Sequence, residues 1–78
     1  MWNESDGALR GEVIFADFAE AFAFMTRVGL IAQEQGHHPD MAISWNRVTI
    51  TITTHDSGNV VTDKDRKLAA AIDAMDVT

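Results

Sequence analysis

The stretch Met41-Ala42-Ile43-Ser44-Trp45-Asn46-Arg47-Val48-Thr49-Ile50-Thr51-Ile52-Thr53-Thr54 decides the fold class. From Val48 onward β-branched apolar residues alternate with threonines, a period of two that sends each set to its own face of a strand. Val48, Ile50 and Ile52 form an apolar face, and Thr49, Thr51 and Thr53 the other, as in an antiparallel strand buried on one side. Met41 to Trp45 reads as its partner, joined by a turn at Asn46-Arg47. The threonine face is free to meet solvent or another subunit.

Outward from this hairpin the period changes. Asp17 stands where an N-cap belongs, with Glu20 in the capping-box position. Phe18, Ala21, Phe22, Met25, Val28 and Ala32 then recur at steps of three and four, so this stripe is expected to face the core. Gly36 ends the helix by tolerating a left-handed turn, and Pro39 discourages its continuation. Downstream, Asp56-Ser57-Gly58-Asn59 reads as a loop, and Thr62 with Asp65 caps a last helix whose apolar side is Leu68, Ala69, Ile72 and Met75. Upstream, Trp2 to Glu4 and Leu9 to Phe15 read as strands about a turn at Ser5-Asp6-Gly7. The order is ββαββα, an α+β fold with residues 1–78 as one domain.

Composition narrows the function classes. A chain of 78 residues buries only ~60–65% of its unfolded surface, so its core is marginal and an oligomer is expected. Without cysteine there is no disulfide framework, thiolate zinc site or cysteine nucleophile, and the simplest compartment is the cytoplasm. The N-terminus is polar, and Asp17, Glu20 and Arg27 break the longest apolar stretches, so neither a targeting segment nor a membrane partner is expected. With 12 acidic against 6 basic residues, the net charge of −6 repels a phosphate backbone. Arg10, Arg27 and Arg47 are scattered and only Lys64, Arg66 and Lys67 lie together, so nucleic acid is not an expected partner.

All three histidines fall between positions 37 and 55. His37 and His38 follow a helix end, and His55 ends the threonine-rich strand, where chains open into loops that carry sites. Counting outward from the hairpin turn brings Pro39 and its histidines beside Thr54 and His55, so three imidazoles converge on one mouth. With an ordinary pKa of ~6.5, one ring donates a proton while another accepts one near neutral pH, as elimination of water requires. The ordinary explanation of any single one is a solvated ring. A metal site is the other reading, although adjacent histidines in extended chain point apart and lack the usual ligand spacing. Trp2 and Trp45 suit stacking on a planar heterocycle, with burial in the core as the commoner role. Asp56 is placed to orient an imidazole or to close an Asx turn. For Lys64 and Asp65 a place in the first turn of the last helix is explanation enough.

His37-His38-Pro39, five residues, Trp45, nine residues, His55 and nine more to Asp65 resemble the signature of the pterin-4a-carbinolamine dehydratases. Asp17-Phe18, Ala21 to Val28, Trp45-Asn46-Arg47-Val48 and Thr53-Thr54-His55-Asp56 extend the resemblance from Trp2 to about Ala74. It implies a four-stranded antiparallel sheet with helices packed on one face, assembling as a homodimer or homotetramer. It further implies dehydration of 4a-hydroxytetrahydropterin to quinonoid dihydropterin, recycling a pterin after an aromatic amino acid hydroxylase, with no metal or bound cofactor. His37, His38 and His55 would be catalytic and pterin-binding, with Pro39, Thr54, Asp56 and Ser57 also lining the pterin site. Against the family pattern, the usual N-terminal helix is expected to be missing, Gln33 stands where an acidic or basic residue is common, and a longer loop is expected over residues 56–61. A non-catalytic dimerisation module and a histidine-based metal-binding protein are the competing readings.

Overall fold

Why the strands stop where they do follows from their turns. The computed structural model describes residues 1–75, with Ser57 by its backbone alone, and orders them as β1 (Asn3–Ser5), β2 (Ala8–Ile14), α1 (Phe18–Gln35), β3 (Asp40–Ser44), β4 (Arg47–Ile52), one 3-10 turn (His55–Ser57) and α2 (Asp63–Asp73). Between β1 and β2 the two central residues, Asp6 (φ 51°) and Gly7 (φ 76°), are both left-handed, as a twisted two-residue hairpin requires. Gly7 has a second reason to lack a side chain, because a Cβ there would lie 1.8 Å from the carbonyl oxygen of Asn59. The first hairpin and the 55–59 loop therefore touch backbone to backbone, and Thr53 Oγ1 donates to the Gly7 carbonyl at 2.6 Å.

The sheet is antiparallel throughout, in the order β1-β2-β4-β3, so the strand richest in β-branched residues sits inside it. Val48, Ile50 and Ile52 turn their fully buried side chains toward Ala21, Phe24, Val28 and Ala32 of α1 and Leu68, Ala69 and Ile72 of α2. Both helices thus cover one face, at about 1.5–3 kcal/mol for each large side chain buried. Among the described residues no helix is long and apolar enough to cross a membrane.

Two expectations are corrected. The core stripe of α1 is Ala21, Phe24, Val28 and Ala32, whereas Phe18 and Phe22 are 46% and 54% exposed. Phe15, leaving β2, packs its ring 5.1 Å from that of Phe24, and this tertiary contact selects Phe24 for the interior. Phe18 and Phe22 stack on each other outside, 5.8 Å apart. Secondly, the turn is Trp45-Asn46, and Arg47 already belongs to β4, opposite Ser44. Asn46 is held in the turn by Phe15, whose N–H donates to the Asn46 carbonyl at 2.8 Å while Asn46 Nδ2 donates to the Phe15 carbonyl at 2.9 Å. Trp45 is consequently left-handed (φ 56°) and 64% exposed, so it is not a core residue.

The first strand begins at Asn3, one residue after its expected start, and includes Ser5; β2 begins at Ala8 and ends at Ile14, and β4 at Ile52. Trp2 packs on the margin of the core and its Nε1 donates to Asp73 Oδ1 at 2.9 Å, tying the N-terminus to the end of α2. Gly11 leaves the room for that ring, since a Cβ there would come within 2.9 Å of Trp2 Cζ3.

Candidate functional site

Three chain ends build the site. At the first, α1 closes on Gly36 (φ 66°), whose N–H donates to Gln33, while the N–H of His37 reaches back to Ala32 at 3.1 Å. This pair of bonds is the Schellman arrangement, and it turns the chain sharply enough to throw His37 and His38 off the helix. At the second, Thr53 and Thr54 carry β4 onward as buried residues into the 3-10 turn. The loop is pinned by Thr54 N–H to the Val60 carbonyl and Asn59 N–H to the Thr54 carbonyl, both at 3.1 Å, so His55 is carried on a closed turn. The third is the start of α2.

The register explains why these ends meet. Asp40 pairs with Thr51, so residues preceding β3 run beside those following β4. Between them lies a cleft of about 260 Å³ lined by His37, His38 and His55 together with Thr53, Thr54 and Asp56, and bordered by Gly36 and Lys64. Of the residues expected here, Pro39 is half-buried and does not line the cleft. The side chain of Ser57 lies outside the described residues. Trp45 sits on the turn at the far end of the β3–β4 hairpin.

Each imidazole has one nitrogen engaged by its own neighbour. Asp65 Oδ1 is 2.6 Å from His37 Nε2, Gln33 Oε1 is 2.8 Å from His38 Nε2, and Asn59 Oδ1 is 2.9 Å from His55 Nδ1. The ionised Asp65 carboxylate can only accept, so His37 Nε2 carries hydrogen and donates, whereas the Gln33 and Asn59 amides can present either oxygen or NH₂ to His38 and His55. Among the described residues, Nδ1 on His37, Nδ1 on His38 and Nε2 on His55 are left uncommitted. The three differ in exposure: the His37 side chain is 14% exposed and its Asp65 partner 0%, whereas His38 and His55 are exposed.

Asp65 is the buried charge of the site. Burial pushes its carboxyl upward, but the Thr62 N–H, His37 and Thr54 hydrogen bonds and the charge of His37 together outweigh that and hold it below the usual aspartate value. The Thr62 N–H bond, at 2.7 Å to Oδ2, is the return arm of the capping box. Capping therefore does not exhaust the role of Asp65, as its position in the helix had suggested. Nor does Asp56 orient an imidazole: Asn59 holds His55. Gln33, standing where the family commonly has an acidic or basic residue, is the residue that holds His38. These partners were within reach of the sequence in part, since Gln33 and Asn59 lie five and four residues from their histidines. Among the described residues no three His, Cys, Asp or Glu side chains are grouped as metal ligands.

Residues 1–75 match the family model described as Pterin 4 alpha carbinolamine dehydratase. The chain belongs to that family. A Synechococcus sp. (strain WH7803) relative named for pterin-4-alpha-carbinolamine dehydratase is 49% identical over 74 residues, 95% of this chain and 78% of that protein. A Rhodospirillum rubrum relative of the same designation is 61% identical over 61 residues, 78% of this chain and 62% of the other. Among solved structures, the transcriptional coactivator/pterin dehydratase from Brucella melitensis superposes with a TM-score of 0.86 at 37% identity, covering 94% of this chain and 79% of that one. A pterin dehydratase-like protein identified as a RuBisCO assembly factor in the alpha-carboxysome shares the fold, with a TM-score of 0.74 at 24% identity, covering 95% and 84% of the two chains. The α+β architecture of the pterin-4-alpha-carbinolamine dehydratase family is thus the architecture of this chain, and it is the setting of the histidine cleft.

Proposed function

We propose that this chain removes water from 4a-hydroxytetrahydropterin, with His37, His38 and His55 carrying the proton transfers. The observation that supports this reading most is the sharing of one cleft by three imidazoles, each with one nitrogen held and the other uncommitted. In the reaction a protonated ring gives its proton to the C4a hydroxyl as the C4a–O bond breaks. A neutral ring takes the proton from N5 as the C4a–N5 double bond forms. Water and quinonoid dihydropterin leave, and the two rings exchange protonation states. Such paired acid–base catalysis contributes ~10²–10⁴-fold. His37 is one proton-transfer group, His38 or His55 the other, and the remaining ring holds the substrate beside Thr54 and Asp56.

The same reading takes the enzyme to be a cytoplasmic homodimer or homotetramer that returns pterin to an aromatic amino acid hydroxylase. Exposed Phe18, Phe22 and Leu30 on α1 support association. No metal or bound cofactor enters this chemistry. The test is dehydration of a 4a-hydroxypterin generated in place, followed from about pH 5 to 8. A bell-shaped profile is expected, undiminished by chelator. A rate equal to the uncatalysed one at every pH would overturn the proposal and favour a non-catalytic module; a rate abolished by chelator and restored by metal would favour the metal reading.

A further inference from the structure

The three imidazoles are not held by equivalent partners. Gln33 and Asn59 are exposed primary amides, and either can rotate to present its NH₂ instead of its oxygen, so neither commits its histidine to one tautomer. Asp65 has no such freedom. Its Oδ2 accepts from Thr54 Oγ1 at 2.7 Å, from Thr62 N–H at 2.7 Å and from Thr62 Oγ1 at 3.3 Å, which leaves Oδ1 alone to meet His37. With its side chain fully buried, the carboxylate is locked at both oxygens. An ionised carboxylate only accepts, so His37 Nε2 must carry hydrogen whenever the ring is neutral.

We propose that Asp65 is a positioning residue that fixes His37 in the Nε2–H tautomer, so that Nδ1 is the atom of this ring that takes and returns the proton. The inference concerns the free protein, and only its activity arm rests on the dehydratase reading. The geometry also specifies how to reverse the tautomer. In Asp65→Asn the amide oxygen must stay with the Thr62 and Thr54 donors, because an NH₂ there would face two hydrogens. The NH₂ then faces His37 Nε2 and donates to it, which drives the ring hydrogen to Nδ1. Shape is preserved and the protonation pattern is inverted.

The experiment uses the full chain labelled with ¹⁵N, its histidine tautomers read by two-bond ¹H–¹⁵N correlation about two pH units above the ordinary histidine pKa of ~6.5. For the unmodified chain the expected result is a protonated Nε2 and a bare Nδ1 on His37, with a downfield, slowly exchanging Nε2 proton from its short charge-assisted bond. A bare Nε2 overturns the proposal, and this arm decides the matter even if Asp65→Asn does not fold. In folded Asp65→Asn the hydrogen is expected on Nδ1 and the dehydration rate is expected to fall ~10²–10⁴-fold. An unchanged tautomer in that variant also overturns the proposal. If Asp65→Asn shows the inversion but the unmodified chain dehydrates no pterin, the positioning role stands and the functional reading is removed; if the unmodified chain dehydrates pterin but Asp65→Asn shows no inversion, the reverse holds.

Discussion

Each helix of this fold begins with a carboxylate in a capping arrangement, and the two arrangements have different reach. At α1, Asp17 Oδ1 accepts from Glu20 N–H at 2.9 Å and Glu20 Oε1 accepts from Ala16 N–H at 3.3 Å, all within an exposed stretch of five residues. At α2, Asp65 reaches back to Thr62, sideways to Thr54 at the end of β4, and across 28 residues of sequence to His37. Asp17 starts a helix; Asp65 starts a helix and ties it to the site. The local motif gives them different places, Asp17 at the N-cap and Asp65 at N3, but both serve the same rule about orphan N–H groups. What gives Asp65 its wider reach is burial, and burial comes from the strand that ends at Ile52 beneath α2.

Removing the two carboxylates sharpens that contrast. The largest effect is expected for Asp65→Ala, which strands His37 Nε2, Thr62 N–H and Thr54 Oγ1 without an acceptor in a buried setting. Breaking a buried pair on one side costs about 3–5 kcal/mol, so the midpoint of thermal unfolding should fall by at least about 12 °C, as read by circular dichroism. A loss as small as that of an exposed cap would break the comparison.

Acid titration gives the next largest difference. The Asp65 carboxyl is held below its ordinary value of 3.8 in the folded chain, so its contribution is complete above the unfolded value and disappears as the pH falls through the folded one. Stability measured by denaturant at successive pH values should therefore drop on acidification from about pH 5, and part of that drop should vanish in Asp65→Asn. An acid limb of identical depth in both chains would contradict the assignment of the buried charge. The smallest effect is expected for Asp17→Ala, about 0.5–2 kcal/mol from a lost N-cap with no change in dehydration rate. A rate that fell with it would mean that α1 capping reaches the cleft after all.

The elements themselves were readable because their periods differ: Val48 to Ile52 alternates by two, and the residues after Asp17 recur by three and four. The face of α1 was not, because phenylalanines stand at 18, 22 and 24 and periodicity alone does not say which of them Phe15 will cover. The position of the hairpin turn also depended on a distant partner, since Phe15 is what holds Asn46 in it. Convergence of the histidines was readable, because strand pairing is arithmetic once a hairpin is recognised. Their partners were harder. Gln33 and Asn59 are near in sequence but carry no distinctive pattern, and the bond to Asp65 closes a separation of 28 residues that no local rule spans.

The central claim is that the imidazoles of one cleft move the protons of the dehydration. Its most direct test is turnover of the folded His37→Ala chain on saturating 4a-hydroxypterin beside the unmodified protein. A loss of ~10²-fold or more is predicted; turnover equal to that of the unmodified chain would contradict the account.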